Sequence, residues 1–129
     1  MTVLFICNGN VARSQEAEAF YNNFVQDKNN RAMSAGINVK VNKPIDPVVV
    51  AVMSEIGYDL SKAYRKFISE GMVKSADKIV SFKAQEELPA FVLEHNNIEY
   101  WNVSDPQHQD LEFHRKVRDQ VRSLVEKLK

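Results

Sequence analysis

The sequence predicts an α/β fold: a three-layer arrangement in which a four-stranded parallel sheet carries helices on both faces. Three observations predict it. Four short runs rich in β-branched and aromatic residues alternate with segments of helical spacing. The closing segment repeats apolar residues every three or four positions. At 129 residues, 44% hydrophobic and 26% charged, the chain has apolar material for one core, so residues 1–129 are expected to form a single domain. Strands separated by helices are joined by right-handed crossovers, which yields a parallel sheet covered on both sides.

The first run, TVLFI at 2–6, ends at Cys7, the only cysteine, and opens into the loop Asn8, Gly9, Asn10, Val11, Ala12. A helix is expected from Ser14 through Ala17, Phe20 and Phe24, with Ser14 suited to its N-cap or first turn. The second run is RAMSA at 31–35. After it, Asp46-Pro47 reads as the N-cap and first residue of a helix over VVVAVMSEIG, an ordinary structural use of that pair. The third run is KIVSF at 78–82, with Asp77 at its amino end. The fourth, IEYWNV at 98–103, leads into Ser104-Asp105-Pro106. The final helix aligns Leu111, His114, Val117, Val121, Leu124 and Leu128 on one face. Its mixed charges read as a solvated outer surface. Trp101, Met33, Met53 and Met72 are expected in the core.

Composition excludes several classes of function. Lys plus Arg and Asp plus Glu number 17 each, so no global field favours nucleic acid or an anionic membrane, and any anion site must be local. The N-terminal apolar run is too short for a signal-peptide core and no segment has bilayer-spanning length. A lone cysteine forms no internal disulfide, so a cytoplasmic, reducing setting is expected. No repeat, low-complexity tract or linker interrupts the chain. His95, His108 and His114 lack metal-ligand spacing and are expected to be structural or solvent-facing, with no metal.

The placement of Cys7 carries the chemistry. Ligands of parallel sheets bind beyond the carboxyl ends of the strands, and Cys7 lies at such an end. C-x5-R alone arises by chance in roughly one cysteine in twenty at ordinary residue frequencies. Its context is what adds weight: a strand before, Gly9 and Asn10 within, a serine and a helix after. Such a loop can turn successive backbone N–H groups inward and make a phosphate loop, with Gly9 and Asn10 tolerating the left-handed backbone that this requires. A thiol at a helix N-terminus beside an arginine is expected to ionise at neutral pH. Arg13 offers a planar fork for two oxygens of a tetrahedral oxyanion, and Ser14 a hydrogen bond to the sulfur. A departing alkoxide or phenoxide needs a proton, and Asp105, directly after the last strand, is placed on the same rim to supply it and later to activate water. Asp77 heads its strand at the opposite end.

These residues resemble the low-molecular-weight protein tyrosine phosphatase superfamily, which also contains a class of arsenate reductases. VLFICNGNVARS is similar to its phosphate loop, SAG at 34–36 to the motif after its second strand, and SDP at 104–106 to its acid loop. The resemblance spans nearly the full chain and implies Cys7 as nucleophile, Arg13 as phosphate clamp and Asp105 as acid and then base. It implies Asn8, Gly9, Asn10, Val11, Ala12 and Ser14 as the substrate-binding loop, with Ser34 supporting it. No cofactor is implied. Three departures bear on substrate. Val11-Ala12 stands where family phosphatases often carry a second cysteine. INVKVNKPI and DPQHQDLEF lack the Tyr or Trp with which tyrosine-specific members line the pocket, a contact worth about 0.5–1.5 kcal/mol. Gln15 and VMSEIGYDLSKAYRK look more like the arsenate-reductase branch, yet SFKAQEEL holds none of the further cysteines that thioredoxin-coupled reductases need. Tyr64 falls about where phosphatases have a loop-supporting histidine.

The principal expectation is a cysteine-dependent phosphatase acting on phosphotyrosine or small aryl or other phosphomonoesters, on a phosphorylated protein or a small molecule, through a cysteinyl-phosphate. The alternative is a single-cysteine arsenate reductase using an external thiol. A phosphocarrier, or a phosphate-binding module without turnover, are further readings that measured turnover separates.

Overall fold

The computed structural model describes residues 1–128. Its elements run β1 (Thr2–Cys7), α1 (Arg13–Phe24), β2 (Arg31–Gly36), α2 (Pro47–Ser54), α3 (Glu70–Ser75), β3 (Lys78–Ser81), α4 (Ala90–Leu93), β4 (Ile98–Tyr100) and α5 (Leu111–Leu128), with a single 3-10 turn at Gln85–Glu87. Every strand pair is parallel and the order is β2-β1-β3-β4. The chain therefore goes to one side of β1 for β2 and to the other for β3. The switch point lies beyond the carboxyl ends of β1 and β3, where Cys7 is level with Gly36 and Ile6 with Ser81.

The alternation of β1 builds two cores at once. Val3, Phe5 and Cys7 face a cluster with Ala17 and Phe20 of α1 and Val117, Val121 and Val125 of α5. Leu4 and Ile6 face the other side, against Val73 of α3, Ile79 of β3 and Val92 of α4. Helices thus cover both faces, in three layers. A continuous apolar strand is what burial on both sides demands. A smaller cluster of Ala12, Ile45 and Val49 docks α2 beneath the loop after β1. Met53 is fully buried and Met33 and Met72 partly so, while Trp101 packs between Phe5 and Phe82.

Three local expectations differ from the structure. Regular pairing in the fourth strand stops at Tyr100; one further bond, Trp101 N–H to Ser81 C=O at 2.9 Å, precedes a departure that turns the Val103 carbonyl toward the site. The crossover from β2 to β3 holds two helices, α2 and α3. The first helix begins at Arg13, one residue before Ser14. Asp46 and Pro47 do occupy the expected N-cap and first positions of α2. Among the described residues, no helix is long and apolar enough to cross a membrane.

Candidate active site

Cys7 closes β1 with 2% of its surface exposed, and Ser14 Oγ lies 2.8 Å from its Sγ. Ser14 is committed to that contact and does not cap the helix. Ala12 occupies the N-cap position of α1 and supplies no side-chain acceptor, so the first-turn N–H groups of a 12-residue helix remain for an oxyanion. Asn10 Nδ2 donates to Ser14 Oγ at 2.8 Å, which leaves the serine hydrogen free to point at sulfur.

Asn10 organises the loop. It alone in the Asn8–Ala12 segment takes a left-handed backbone, with φ 55°; Gly9 is not left-handed, contrary to expectation, and its role is to line the pocket with little bulk. Asn10 Nδ2 also donates to Ser34 Oγ at 3.1 Å. Its Oδ1 accepts from Gln15 Nε2 and from the Lys66 backbone N–H, each at 2.9 Å. All of its side-chain capacity facing the loop is thus in use, at zero exposure. Ser34 in turn donates to Glu18, which pairs with Lys66 at 3.5 Å. Gly36 ends β2 against this loop, where an added Cβ would lie 2.6 Å from Asn8 O and 2.8 Å from Asn10 N. The SAG segment is therefore a clearance as well as a hydrogen-bonding element.

Arg13 is 6% exposed and anchored from behind: Nη1 donates to Val103 O at 3.0 Å, and the guanidinium carbon sits 5.8 Å from the Phe82 ring centroid. Its other terminal nitrogen, Nη2, lies 3.5 Å from Asp105 Oδ2. Asp105 keeps a side chain 45% exposed and accepts from the Gln107 N–H at 3.0 Å, an Asx turn that aims the second oxygen at the pocket. The strand-end rule thus brings Cys7, Arg13 and Asp105 together from three chain segments.

They line one pocket of about 440 Å³, with Asn8, Gly9, Val11 and Ala12 at its floor. Its lining holds no Phe, Tyr or Trp. Two histidines expected only to be structural or solvent-facing also line it: His108, exposed at φ 65°, and His114, buried on α5 with Nδ1 unpartnered. His114 was legible as a core position of α5, but not as a core position that abuts the pocket. Asp46 is more than a helix start, because its carboxylate pairs with Arg65 at 3.0 Å on the pocket wall instead of capping α2. Tyr64 is 54% exposed, so its ring does not support the loop; its backbone carbonyl does, accepting from Gln15 Nε2 at 2.9 Å. Gln15, Glu18 and Lys66 carried no sequence signal for this role beyond the position of Gln15 after Arg13-Ser14. Glu16, fully buried with both carboxyl oxygens unpartnered, was also missed. Its signal was its spacing, three residues after Arg13 and four before Phe20 on the inward face of α1. Among the described residues, no group of three or more His, Cys, Asp or Glu is arranged to hold a metal ion.

The arrangement sets a thiol at the uncapped start of a helix, with a guanidinium and a carboxyl beside it in one pocket. A family model described as low molecular weight phosphotyrosine protein phosphatase matches residues 2–129. Arsenate reductase 1 of Staphylococcus epidermidis is 32% identical over 126 residues, covering 97% of this chain and 92% of that protein. The crystal structure of a low molecular weight protein tyrosine phosphatase from T. tengcongensis superposes with a TM-score of 0.87 at 28% identity, covering 99% of this chain and 97% of that one. An arsenate reductase in a phosphate-binding state superposes with a TM-score of 0.84 at 30% identity, covering 98% and 95%.

Proposed function

Because the chain belongs to the low molecular weight phosphotyrosine protein phosphatase family, we propose that residues 1–129 act as one catalytic domain that hydrolyses phosphomonoesters through a cysteinyl-phosphate. The observation that carries this reading is the convergence of Cys7, Arg13 and Asp105 on one pocket, with Ser14 Oγ 2.8 Å from the sulfur and Asp105 3.5 Å from the guanidinium. The phosphoryl oxygens lie on the loop amides and the free edge of Arg13, displacing Asp105 from that edge. The Cys7 thiolate attacks phosphorus in line, and the ester P–O bond breaks as Asp105 passes its proton to the leaving oxygen. Water then attacks the cysteinyl-phosphate, Asp105 takes the water's proton, and the S–P bond breaks with Ser14 donating to the returning thiolate. Phosphate and alcohol leave, and no redox change occurs.

The pocket wall gives an aromatic leaving group no ring to stack on, which supports polar phosphomonoesters, on a small molecule or a protein, ahead of phosphotyrosine. A thiolate nucleophile needs a reducing compartment, so the proposed location is the cytoplasm. Turnover of a panel of aryl, sugar and peptide phosphates tests this reading. It expects metal-independent hydrolysis that disappears in Cys7→Ala, and retained hydrolysis in that variant overturns it.

A second reading is favoured by the identity to a curated arsenate reductase. Here Cys7 attacks arsenate with loss of hydroxide, an external thiol then attacks the Cys7 sulfur, and the S–As electron pair stays on arsenic. As(V) becomes As(III) while the two sulfurs are oxidised to a mixed disulfide, which a second thiol clears. With one cysteine in the chain, every later sulfur must come from outside. Arsenate-dependent consumption of an added thiol supports this reading, and its absence across monothiols and thioredoxin rejects it.

A further inference from the structure

One turn along α1 from the oxyanion clamp lies a carboxyl group that the reaction does not use. Glu16 sits one turn after Arg13 on the same helix, at zero exposure, in the seam between α1 and α5. Neither of its oxygens has a hydrogen-bond partner. Two cations are nearby, but their donors are engaged elsewhere. Arg13 Nη1 donates to Val103 O, while Arg118 donates to Val52 O at 2.9 Å, Glu55 Oε1 at 2.7 Å and Asp119 Oδ1 at 2.8 Å. A buried carboxylate without donors is far costlier than a buried carboxylic acid.

We propose that Glu16 is a positioning residue for the oxyanion clamp: its carboxyl, kept neutral in the α1–α5 seam, leaves the field of Arg13 to the bound anion, and a negative charge at that position weakens oxyanion binding. The inference rests on Arg13 as the clamp. An anion bound to the guanidinium and a carboxylate on Glu16, which also feels Arg13, repel one another, so each lowers the affinity for the other. Burial is the main cause raising the Glu16 pKa to about 8, against the opposing pull of Arg118 and Arg13, with Asp119 adding to the rise. Its ionisation therefore falls in the alkaline range where the enzyme can still be studied.

The groups that face this seam are few. From α5 they are Arg118, Asp119 and His114, whose Nδ1 has no partner, and from α1 itself Arg13 and the buried Tyr21, since Glu18 is directed to Ser34 and Lys66. The only titratable group of β1 is Cys7, and the only one of β2 is Arg31, which is exposed. Glu55 of the α2 C-cap is coupled in through Arg118. Cys7 lines the pocket that the anion enters, so the test removes its thiol.

The experiment measures inorganic sulfate binding by calorimetry from about pH 7 to about pH 9.5, where sulfate itself does not titrate, in Cys7→Ala and in Cys7→Ala/Glu16→Gln. Affinity is expected to fall about tenfold across this range in the first protein, with its midpoint near the Glu16 pKa of about 8. The second protein is expected to lose that fall. Equal pH slopes in the two overturn the proposal whether or not the chain proves to be a phosphatase, because no turnover is read. Should the double variant fail to fold, the carboxylic-acid infrared band of Glu16 decides in Cys7→Ala: sulfate must move its midpoint to higher pH. A band that is already carboxylate at neutral pH, or that ignores sulfate, overturns it. Glu16→Leu, which removes the charge without leaving an amide unpartnered, is expected to bind sulfate with the flat profile of Glu16→Gln.

Discussion

The chemistry of the site rests on how few polar atoms are left unassigned around the sulfur. Asn10 exhausts its amide on Ser14, Ser34, Gln15 and Lys66, and Ser14 is thereby left to donate to Cys7. Arg13 has one terminal nitrogen tied to Val103 and another turned to the pocket. Replacing it with Lys removes the fork while keeping the charge, so kcat/KM is expected to fall about a hundredfold or more, measured by steady-state kinetics on an aryl phosphate. A loss of less than threefold would show that geometry at this position is unimportant. The proximity of Cys7, Arg13 and Ser14 was legible because they belong to one contiguous loop. Gln15 to Tyr64, Lys66 to Asn10 and Asp46 to Arg65 were not, since each spans 19 to 56 positions and depends on how two crossovers meet. Gly9 was misread because both Gly and Asn tolerate left-handed backbone, and composition cannot say which of two neighbours takes it.

At the scale of elements, the end of β2 and the start of α1 are built around one another. Gly36 brings the strand against Asn8 and Asn10 so closely that Gly36→Ala must push the loop outward. That variant is expected to lose roughly 1–3 kcal/mol of stability by urea unfolding and to weaken phosphate binding as well. Unchanged phosphate affinity would show that the loop does not lean on the strand. The strands were legible from β-rich runs, but the end of β4 was overestimated because Trp101 and Val103 are buried outside the ladder, by packing on Phe5 and by the turn toward Arg13. Of the two places the sequence offered Ser14, N-cap or first turn, the structure takes the first turn. With its hydroxyl on the Cys7 sulfur, Ser14 does not cap the helix, and uncapped amides are what an oxyanion needs. Helix α5 docks on α2 through Glu55, whose carboxyl is held below its ordinary value chiefly by the hydrogen bond from Arg115.

Across the whole molecule, these groups shape stability from two sides. The Glu55 contribution is present above the ordinary carboxylate value and is lost as pH falls. Glu16 acts in the other direction: its pKa rises from 4.5 unfolded to about 8 folded, so its contribution is complete below 4.5 and is lost as pH climbs to about 8. Within that window stability is expected to drop by as much as about 1.4 kcal/mol per pH unit on account of Glu16 alone. Urea unfolding at several pH values checks this, and Glu16→Gln is expected to flatten the slope; an unchanged slope would place its origin elsewhere. The overall architecture was legible because a doubly covered strand such as β1 has to be apolar at every position, while the two-helix crossover was not, because α3 is short and begins only at Glu70. The proposed function depends on the sulfur at the switch point. The most direct test is phosphorus NMR and intact mass of Asp105→Ala mixed with an aryl phosphate, a variant expected to form the cysteinyl-phosphate and, without a base for water, to hydrolyse it slowly. One phosphate per chain on Cys7, absent from Cys7→Ala, is the predicted result. Phosphate released without any such adduct, and equally well by Cys7→Ala, would contradict the account.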